Sequence, residues 1–173
     1  MSEVPHAATW DEIQRVFGGS HMRMAMLLTA RSRLEQMAAL KVPIAAVWVN
    51  GSFVTSVEQP SDIDIAVLVN GPELKSIWQG GDVDHVEATR RVRHCLEERY
   101  EPGGMASEHL TDFRGIYWFP EGHDFYHDSV SELDHWSALW SRVKVGSSGH
   151  TGGEQEFVSY DNSKGFVEVR WSS

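Results

Sequence analysis

The alternation of apolar and polar residues predicts a strand that carries two aspartates. Ile63 and Ile65 alternate with Asp62 and Asp64, and an apolar run follows to Val69. Because a strand directs alternate side chains to opposite faces, both carboxylates are expected on one face, about 6.5–7 Å apart. That spacing suits carboxylates that flank a pair of divalent cations about 3.5–4 Å apart. An apolar strand otherwise has little reason to carry two charges.

Helical spacing and helix caps predict two helices in the chain before this strand. Thr9 and Glu12 have the capping-box spacing, and Gly18 ends the short helix that they begin. Ser20 is placed to cap a longer helix. Pro43 ends this helix, and a strand is predicted from Ile44 to Val49. The residues predicted to face inward from the longer helix are Leu27, Ala30, Leu34 and Met37, with Met22, Met24 and Met26 as core filler.

The second half of the chain continues the alternation of helices and strands. The pattern predicts one helical turn at 73–78, a helix at 83–100, a strand at 109–119 and a helix starting at Ser129 or Ser131. A C-terminal β-hairpin is expected from segments 156–160 and 165–171. The inward residues predicted for the last helix are Leu133, Trp136, Trp140 and Val143.

This order of elements predicts an α+β (mixed α/β) fold, a sheet with helices packed on it. The whole chain, 1–173, is interpreted as one domain. Its motif core spans about 42–119, and the C-terminal helix and hairpin span about 129–171.

Composition narrows the class of protein. The chain is 41% apolar with one cysteine, Cys95, so a folded domain without an intramolecular disulfide is expected. No apolar run approaches a membrane span, and the first residues do not resemble a signal peptide, so a cytoplasmic location without a membrane partner is expected. A net charge of −10 disfavours extensive nonspecific nucleic-acid binding, which needs clustered cations.

A glycine and a serine precede the aspartate strand. Gly51 allows backbone N–H groups to approach a ligand closely, and the Ser52 hydroxyl adds a donor. A helix that starts at Ser52 would favour a phosphate at its N–H groups. A phosphate cradle beside paired carboxylates is typical of metal-assisted phosphoryl or nucleotidyl transfer.

Together, Gly51-Ser52 and Asp62-Ile63-Asp64 resemble the signature of the DNA polymerase β-like nucleotidyltransferase superfamily. The longer phrase from Trp48 to Thr55, followed by Pro60-Ser61-Asp62, is similar to short stand-alone bacterial and phage nucleotidyltransferase-like proteins of unassigned function. The resemblance implies a nucleotidyltransferase-like mixed sheet with the motif strands at its centre. It also implies Mg²⁺ or Mn²⁺ on Asp62 and Asp64, and an NTP, most simply ATP, whose β and γ phosphates meet Gly51 and Ser52.

The resemblance further implies a third catalytic and metal-binding carboxylate on a neighbouring strand. Asp112 is the first choice, because it lies on the next predicted strand and faces away from the aromatic side. Glu108 is the second choice, and Asp82 or Asp84 the third.

Two functions remain open from the sequence. The first is a metal-dependent nucleotidyltransferase that moves an NMP from an NTP to an acceptor hydroxyl of a protein, RNA end or small molecule, releasing pyrophosphate. The second is a degenerate, non-catalytic nucleotide-binding or protein-interaction module in a toxin–antitoxin or phage-defence system. The second is motivated by Phe53, which stands where antitoxin-type relatives carry arginine.

Other interpretations of the polar residues are weaker. The two aspartates could begin a calcium loop or lie on a solvated edge strand, but Ala66 and Val67 stand where a calcium loop needs oxygen ligands. Zinc at His123, His127 and His135 would need three or four convergent ligands, so surface histidines are the simpler explanation.

Overall fold

The computed structural model describes residues 5–79, 111–141 and 165–171. In these residues, five strands form one mixed sheet in the order β1-β5-β2-β3-β4. The strands are β1 (His6–Ala8), β2 (Ile44–Asn50), β3 (Ile63–Asn70), β4 (Thr111–Trp118) and β5 (Val167–Val169). The four described helices are α1 (Trp10–Phe17), α2 (His21–Ala39), α3 (Gly71–Gln79) and α4 (Tyr126–Trp140), and a 3₁₀ turn covers Ser52–Val54.

The aspartate-bearing strand, β3, lies inside the sheet. It pairs antiparallel with β2 on one side and parallel with β4 on the other. The solvated edge-strand interpretation of this segment is therefore wrong. A strand with neighbours on both sides and helices on its faces is expected to be apolar over most of its length, and from Ile65 to Val69 it is.

Each face of the sheet packs against a different helical layer. Ile63, Ile65 and Val67 of β3 join a core with residues of α1 and α2. Ala66 lies in a second core with Trp48, Ile116, Trp140 and Phe166, against which Leu133 and Trp136 of α4 pack. The inward residues predicted for α2 and the described ones predicted for α4 are confirmed.

The local helix signals of the N-terminal half are confirmed. Thr9 and Glu12 form the reciprocal capping box of α1, and Ser20 accepts the Arg23 N–H at the start of α2. After α2, Lys41 adopts a positive φ of 58° before the chain enters β2.

Three expectations about the elements are wrong. The predicted single turn at 73–78 is the nine-residue α3, which Asn70 caps by accepting the Glu73 N–H. Helix α4 begins at Tyr126, and Ser129 lies inside its first turn, where its hydroxyl donates to the Tyr126 carbonyl. Met22 is 51% exposed and is not core filler. Strand β1 was not predicted.

Several predicted features lie outside the described residues: the helix at 83–100, the hairpin strand at 156–160, Cys95, Val143, and the alternative acids Asp82, Asp84 and Glu108. No helix in the described part of the chain combines the length and the apolar character needed to cross a membrane.

Candidate functional site

Three polar residues on neighbouring strands form a row across the sheet. The register places Asn50 of β2 opposite Asp64 of β3, and Asp64 opposite Asp112 of β4. Because neighbouring strands lie about 4.8 Å apart, the two carboxylates start from adjacent backbone positions. All three side chains share the face covered by α4, since strand alternation puts them on the same side as Trp48, Ala66 and Ile116.

Asn50 holds this row to α4. Its side chain is 3% exposed, and its Nδ2 donates to the Trp140 carbonyl at the end of α4 over 3.1 Å. Its Oδ1 is buried and has no hydrogen-bond partner within the described residues. A buried polar oxygen without a partner is costly and uncommon. Sequence reasoning missed this residue, although an amide that ends an apolar strand directly before Gly51 is a usable signal.

Gly51 lets the chain pass close to the Asp64 carboxylate. Its φ of 82° and ψ of −169° suit glycine and strain other residues. A methyl group built on Gly51 would stand 3.1 Å from Asp64 Cγ and closer still to Oδ2. Both the backbone conformation and the space beside Asp64 therefore require glycine here.

Ser52 begins the 3₁₀ turn that follows Gly51. Its Oγ is buried, and the described residues offer it no hydrogen-bond partner. The predicted helix start at Ser52 is thus a turn of three residues rather than an α-helix. That its N–H groups and hydroxyl bind phosphate stays a prediction.

A buried arginine from α2 fixes the segment after this turn. Arg23 is 8% exposed and donates through Nη1 to the Phe53 carbonyl over 2.6 Å. Its Nη2 donates to the Thr55 carbonyl over 3.2 Å and to the Val57 carbonyl. Its guanidinium also lies 5.2 Å from the centre of the Phe53 ring. Sequence reasoning missed Arg23, and its signal was a cation at helical spacing with the inward-facing Leu27 and Ala30.

On the β4 side, a second arginine stands beside the site. Arg114 Nη2 lies 3.6 Å from Asp112 Oδ2, and the Arg114 guanidinium lies 4.6 Å from the centre of the Trp136 ring of α4. The two charged side chains are 37% and 38% exposed. The guanidinium is thus held between a carboxylate and an aromatic ring while part of it stays open to solvent.

Asp62 lies one residue before β3, outside the paired register. Its Oδ1 accepts a hydrogen bond from the Ser61 hydroxyl over 2.9 Å. Within the described ranges, no group of three or more His, Cys, Asp or Glu residues is arranged to hold a metal ion. The structure therefore brings Asp64 and Asp112 together but does not gather Asp62 with them into a three-acid group.

The donor atoms of the row are oxygens, which hard cations such as Mg²⁺ prefer. Two carboxylates and the unpartnered Oδ1 of Asn50 offer such ligands on three neighbouring strands. The residues present thus fit a divalent cation at Asp64 and Asp112.

Of the histidines considered for zinc, His123 lies in the loop before α4, whereas His127 and His135 lie in α4 itself. His123 stacks on Phe119 with ring centres 4.6 Å apart, and its Nδ1 accepts the Phe125 N–H over 3.2 Å. His127 and His135 are exposed.

Fold and site together define an α+β protein with a mixed sheet and a row of polar side chains, Asn50, Asp64 and Asp112, across three neighbouring strands. The chain belongs to DUF6932, a family of unknown function, whose family model matches residues 1–170. No curated protein and no solved structure matches the chain.

Proposed function

We propose that this protein is a metal-dependent nucleotidyltransferase that moves an NMP from an NTP to an acceptor hydroxyl, with release of pyrophosphate. The observation that carries the proposal is the register of β3 and β4, which sets Asp112 opposite Asp64. The sequence predicts Asp112 from its place on the next strand and on the face away from the aromatic side, but it does not predict this register. Paired carboxylates beside a glycine turn are the arrangement that phosphoryl-transfer chemistry uses.

Each residue of the site has a role in this proposal. Gly51 and Ser52 bind the β and γ phosphates, and Asp64 and Asp112 are the ligands for Mg²⁺ or Mn²⁺. Asp62, one residue before β3, is a ligand only if the segment before β3 moves towards them when metal binds. A divalent cation there would neutralise phosphate charge and act as a Lewis acid. Asp112 also accepts the proton of the acceptor hydroxyl, whose oxygen attacks the α-phosphorus. The bond from that phosphorus to the bridging oxygen breaks, and pyrophosphate leaves.

A second candidate function is the non-catalytic nucleotide-binding or interaction module. It is favoured by the 3.6 Å contact between Asp112 and Arg114, because a carboxylate with a cation beside it is a weaker metal ligand. It is also favoured by the position of Asp62 outside the paired register.

The test is release of pyrophosphate from each of the four NTPs with Mg²⁺ or Mn²⁺ and cell lysate as the source of acceptor. We expect the wild type to be active, and Asp64→Asn and Asp112→Asn to lose at least about a hundredfold in rate. Asp124→Asn, which alters an exposed loop carboxylate, is the matched control and should keep full activity.

If the wild type and Asp64→Asn are equally inactive, calorimetry with ATP and Mg²⁺ separates the remaining possibilities. Binding without turnover supports the non-catalytic nucleotide-binding module. Absence of binding supports a role in protein interaction, and either result overturns the proposed nucleotidyl transfer.

A further inference from the structure

We infer that Arg114 binds an anionic group of the acceptor, so that the acceptor is a small phosphorylated molecule with a hydroxyl near its phosphate. This inference rests on the proposed nucleotidyl transfer and names the substrate class of that site. It is carried by the order of the strands and by the contacts of Arg114.

Strand order separates the two halves of the site. Gly51 and Ser52 follow β2, on one side of Asp64, whereas Asp112 and Arg114 belong to β4, on the other side. Strands two positions apart are separated by about 10 Å. If the donor phosphates meet Gly51 and Ser52, groups on β4 face the acceptor. The basic residue missing after Ser52 is therefore not replaced by Arg114 on the donor side.

Arg114 is held in a position to bind a ligand. It lies opposite Ala66 in the register of β3 and β4. The Trp136 ring lies 4.6 Å from the guanidinium and limits its conformational freedom, and Asp112 Oδ2 lies near one edge of it, at 3.6 Å. With 37% of the side chain exposed, the remaining N–H groups can reach a ligand. A planar guanidinium binds phosphate through two parallel hydrogen bonds, so a pre-oriented arginine favours that group.

A structural ion pair is the competing explanation of Arg114. Exposed pairs contribute little to stability, about 0–1 kcal/mol, and this one is long at 3.6 Å. A cation placed beside a proposed metal ligand would also weaken that ligand's hold on metal. An anionic acceptor gives the guanidinium a partner in the loaded site.

Charge distinguishes a small acceptor from a nucleic acid. The chain carries a net charge of −10, and polyphosphate binding depends on several clustered cations. One arginine between Asp112 and Trp136 suits a single phosphate. In the reaction, the hydroxyl oxygen of this molecule bonds to the α-phosphorus, its proton passes to Asp112, and pyrophosphate leaves with the electrons of the broken P–O bond.

The test compares matched acceptors with radiolabelled ATP and Mn²⁺. The pairs are glycerol with glycerol 3-phosphate and ribose with ribose 5-phosphate, and a short RNA with a 3′ hydroxyl is a third arm. We expect the wild type to prefer the phosphorylated member by at least about tenfold in kcat/KM, the value of one charge-assisted hydrogen bond. Arg114→Gln should bring this ratio close to one, mainly through a higher KM for the phosphorylated acceptor, and Arg114→Lys should restore part of it.

The ratio of kcat/KM for the two acceptors is measured within one variant. A general loss of activity lowers both values and leaves the ratio unchanged. Arg31→Gln is the control for loss of a partly exposed arginine that pairs with a carboxylate, and it should keep the ratio. If Arg114→Gln does not fold, competition by inorganic sulfate against glycerol 3-phosphate in the wild type replaces it, and absence of competition counts against the inference.

Three results overturn the inference: equal use of both members of each pair, a preference that survives in Arg114→Gln, or preferential transfer to the RNA. Failure of the proposed function has a different signature. In that case no ATP-dependent release of pyrophosphate above the level of Asp64→Asn is seen with any acceptor. Release of pyrophosphate without a preference for the phosphorylated acceptor overturns the inference about the acceptor but leaves the proposed nucleotidyl transfer standing.

Discussion

Asp64 and Asp112 lie opposite each other in the parallel register of β3 and β4. Because the two carboxylates carry like charge and start from adjacent strands about 4.8 Å apart, we expect them to repel each other in the metal-free protein. Metal binding would reverse this repulsion. If the proposed cation binds here, the pair should link the stability of the fold to the occupancy of the site.

Removing one charge of this pair should stabilise the metal-free protein. We expect Asp64→Asn to raise the melting temperature of the metal-free protein. It should also abolish the stabilisation by Mg²⁺, which for the wild type is about 2.7 kcal/mol of unfolding free energy at a hundredfold excess over Kd. Differential scanning calorimetry with and without Mg²⁺ measures both effects.

Asp112→Asn should lose the Mg²⁺ effect as well, but with a smaller gain in metal-free stability, because Arg114 also loses its carboxylate. The exposed Asp124→Asn is the control for both variants. If Asp112→Asn keeps the full Mg²⁺ effect, Asp112 is not a ligand.

Replacement of Gly51 should damage both the fold and the site. Gly51→Ala places a methyl group against Asp64 at a φ of 82° and should cost about 2–4 kcal/mol of unfolding free energy. Gly122→Ala is a matched control, since Gly122 has a φ of 88° but nothing within 4 Å of the added carbon.

The control therefore isolates backbone strain, at about 1 kcal/mol. Urea unfolding gives both numbers, and their difference is the cost of the overlap with Asp64. Equal losses in the two variants would show that the Asp64 carboxylate moves aside at no cost.

Removal of Arg23 should destabilise the protein strongly. Arg23→Ala leaves the carbonyls of Phe53, Thr55 and Val57 without their charged donor. Removing one partner of a buried charged interaction costs about 3–5 kcal/mol of unfolding free energy. Arg23→Lys keeps the charge but cannot reach all three acceptors, so an intermediate loss is expected.

Arg31→Ala removes an exposed pair with Glu35 and should cost less than about 1 kcal/mol. Chemical denaturation compares the three variants. A loss of less than about 1 kcal/mol in Arg23→Ala would mean that water replaces the guanidinium.

The capping box of α1 should give part of the stability a pH dependence. The Thr9 backbone N–H, at 2.8 Å, and then the Thr9 hydroxyl lower the pKa of Glu12 below its usual value. Because the folded pKa is the lower one, this contribution is complete above the unfolded pKa and is lost as pH falls through the folded pKa.

Unfolding curves of wild type and Glu12→Gln should therefore differ at neutral pH and converge in acid. Thr9→Ala should cost about 1 kcal/mol at neutral pH. Glu132→Gln, at an exposed position in α4, is the control, and its unfolding curves should match those of the wild type at both pH values. A difference between wild type and Glu12→Gln that stays constant into acid would contradict the linkage.

The sequence by itself determined the features that depend on neighbours along the chain. The capping box at Thr9 and the Ser20 cap follow from hydrogen bonds over three residues. The buried face of α2 follows from helical periodicity, and the α+β class from the alternation of elements. The sequence also predicts a close approach of the backbone at Gly51, although it does not identify Asp64 as the neighbouring group.

Only the tertiary structure decided which residues meet. The partner of Asp64 depends on a register between strands that are far apart in sequence, and the chain between them does not encode that register locally. Asn50 became part of the row through pairing with β3 and contact with α4. Nothing near Arg23 in the sequence indicates its partners, because it is the packing of α2 that places the carbonyls of Phe53, Thr55 and Val57 around it. The sequence specifies the chemistry of each side chain, but long-range packing decides which side chains lie next to one another.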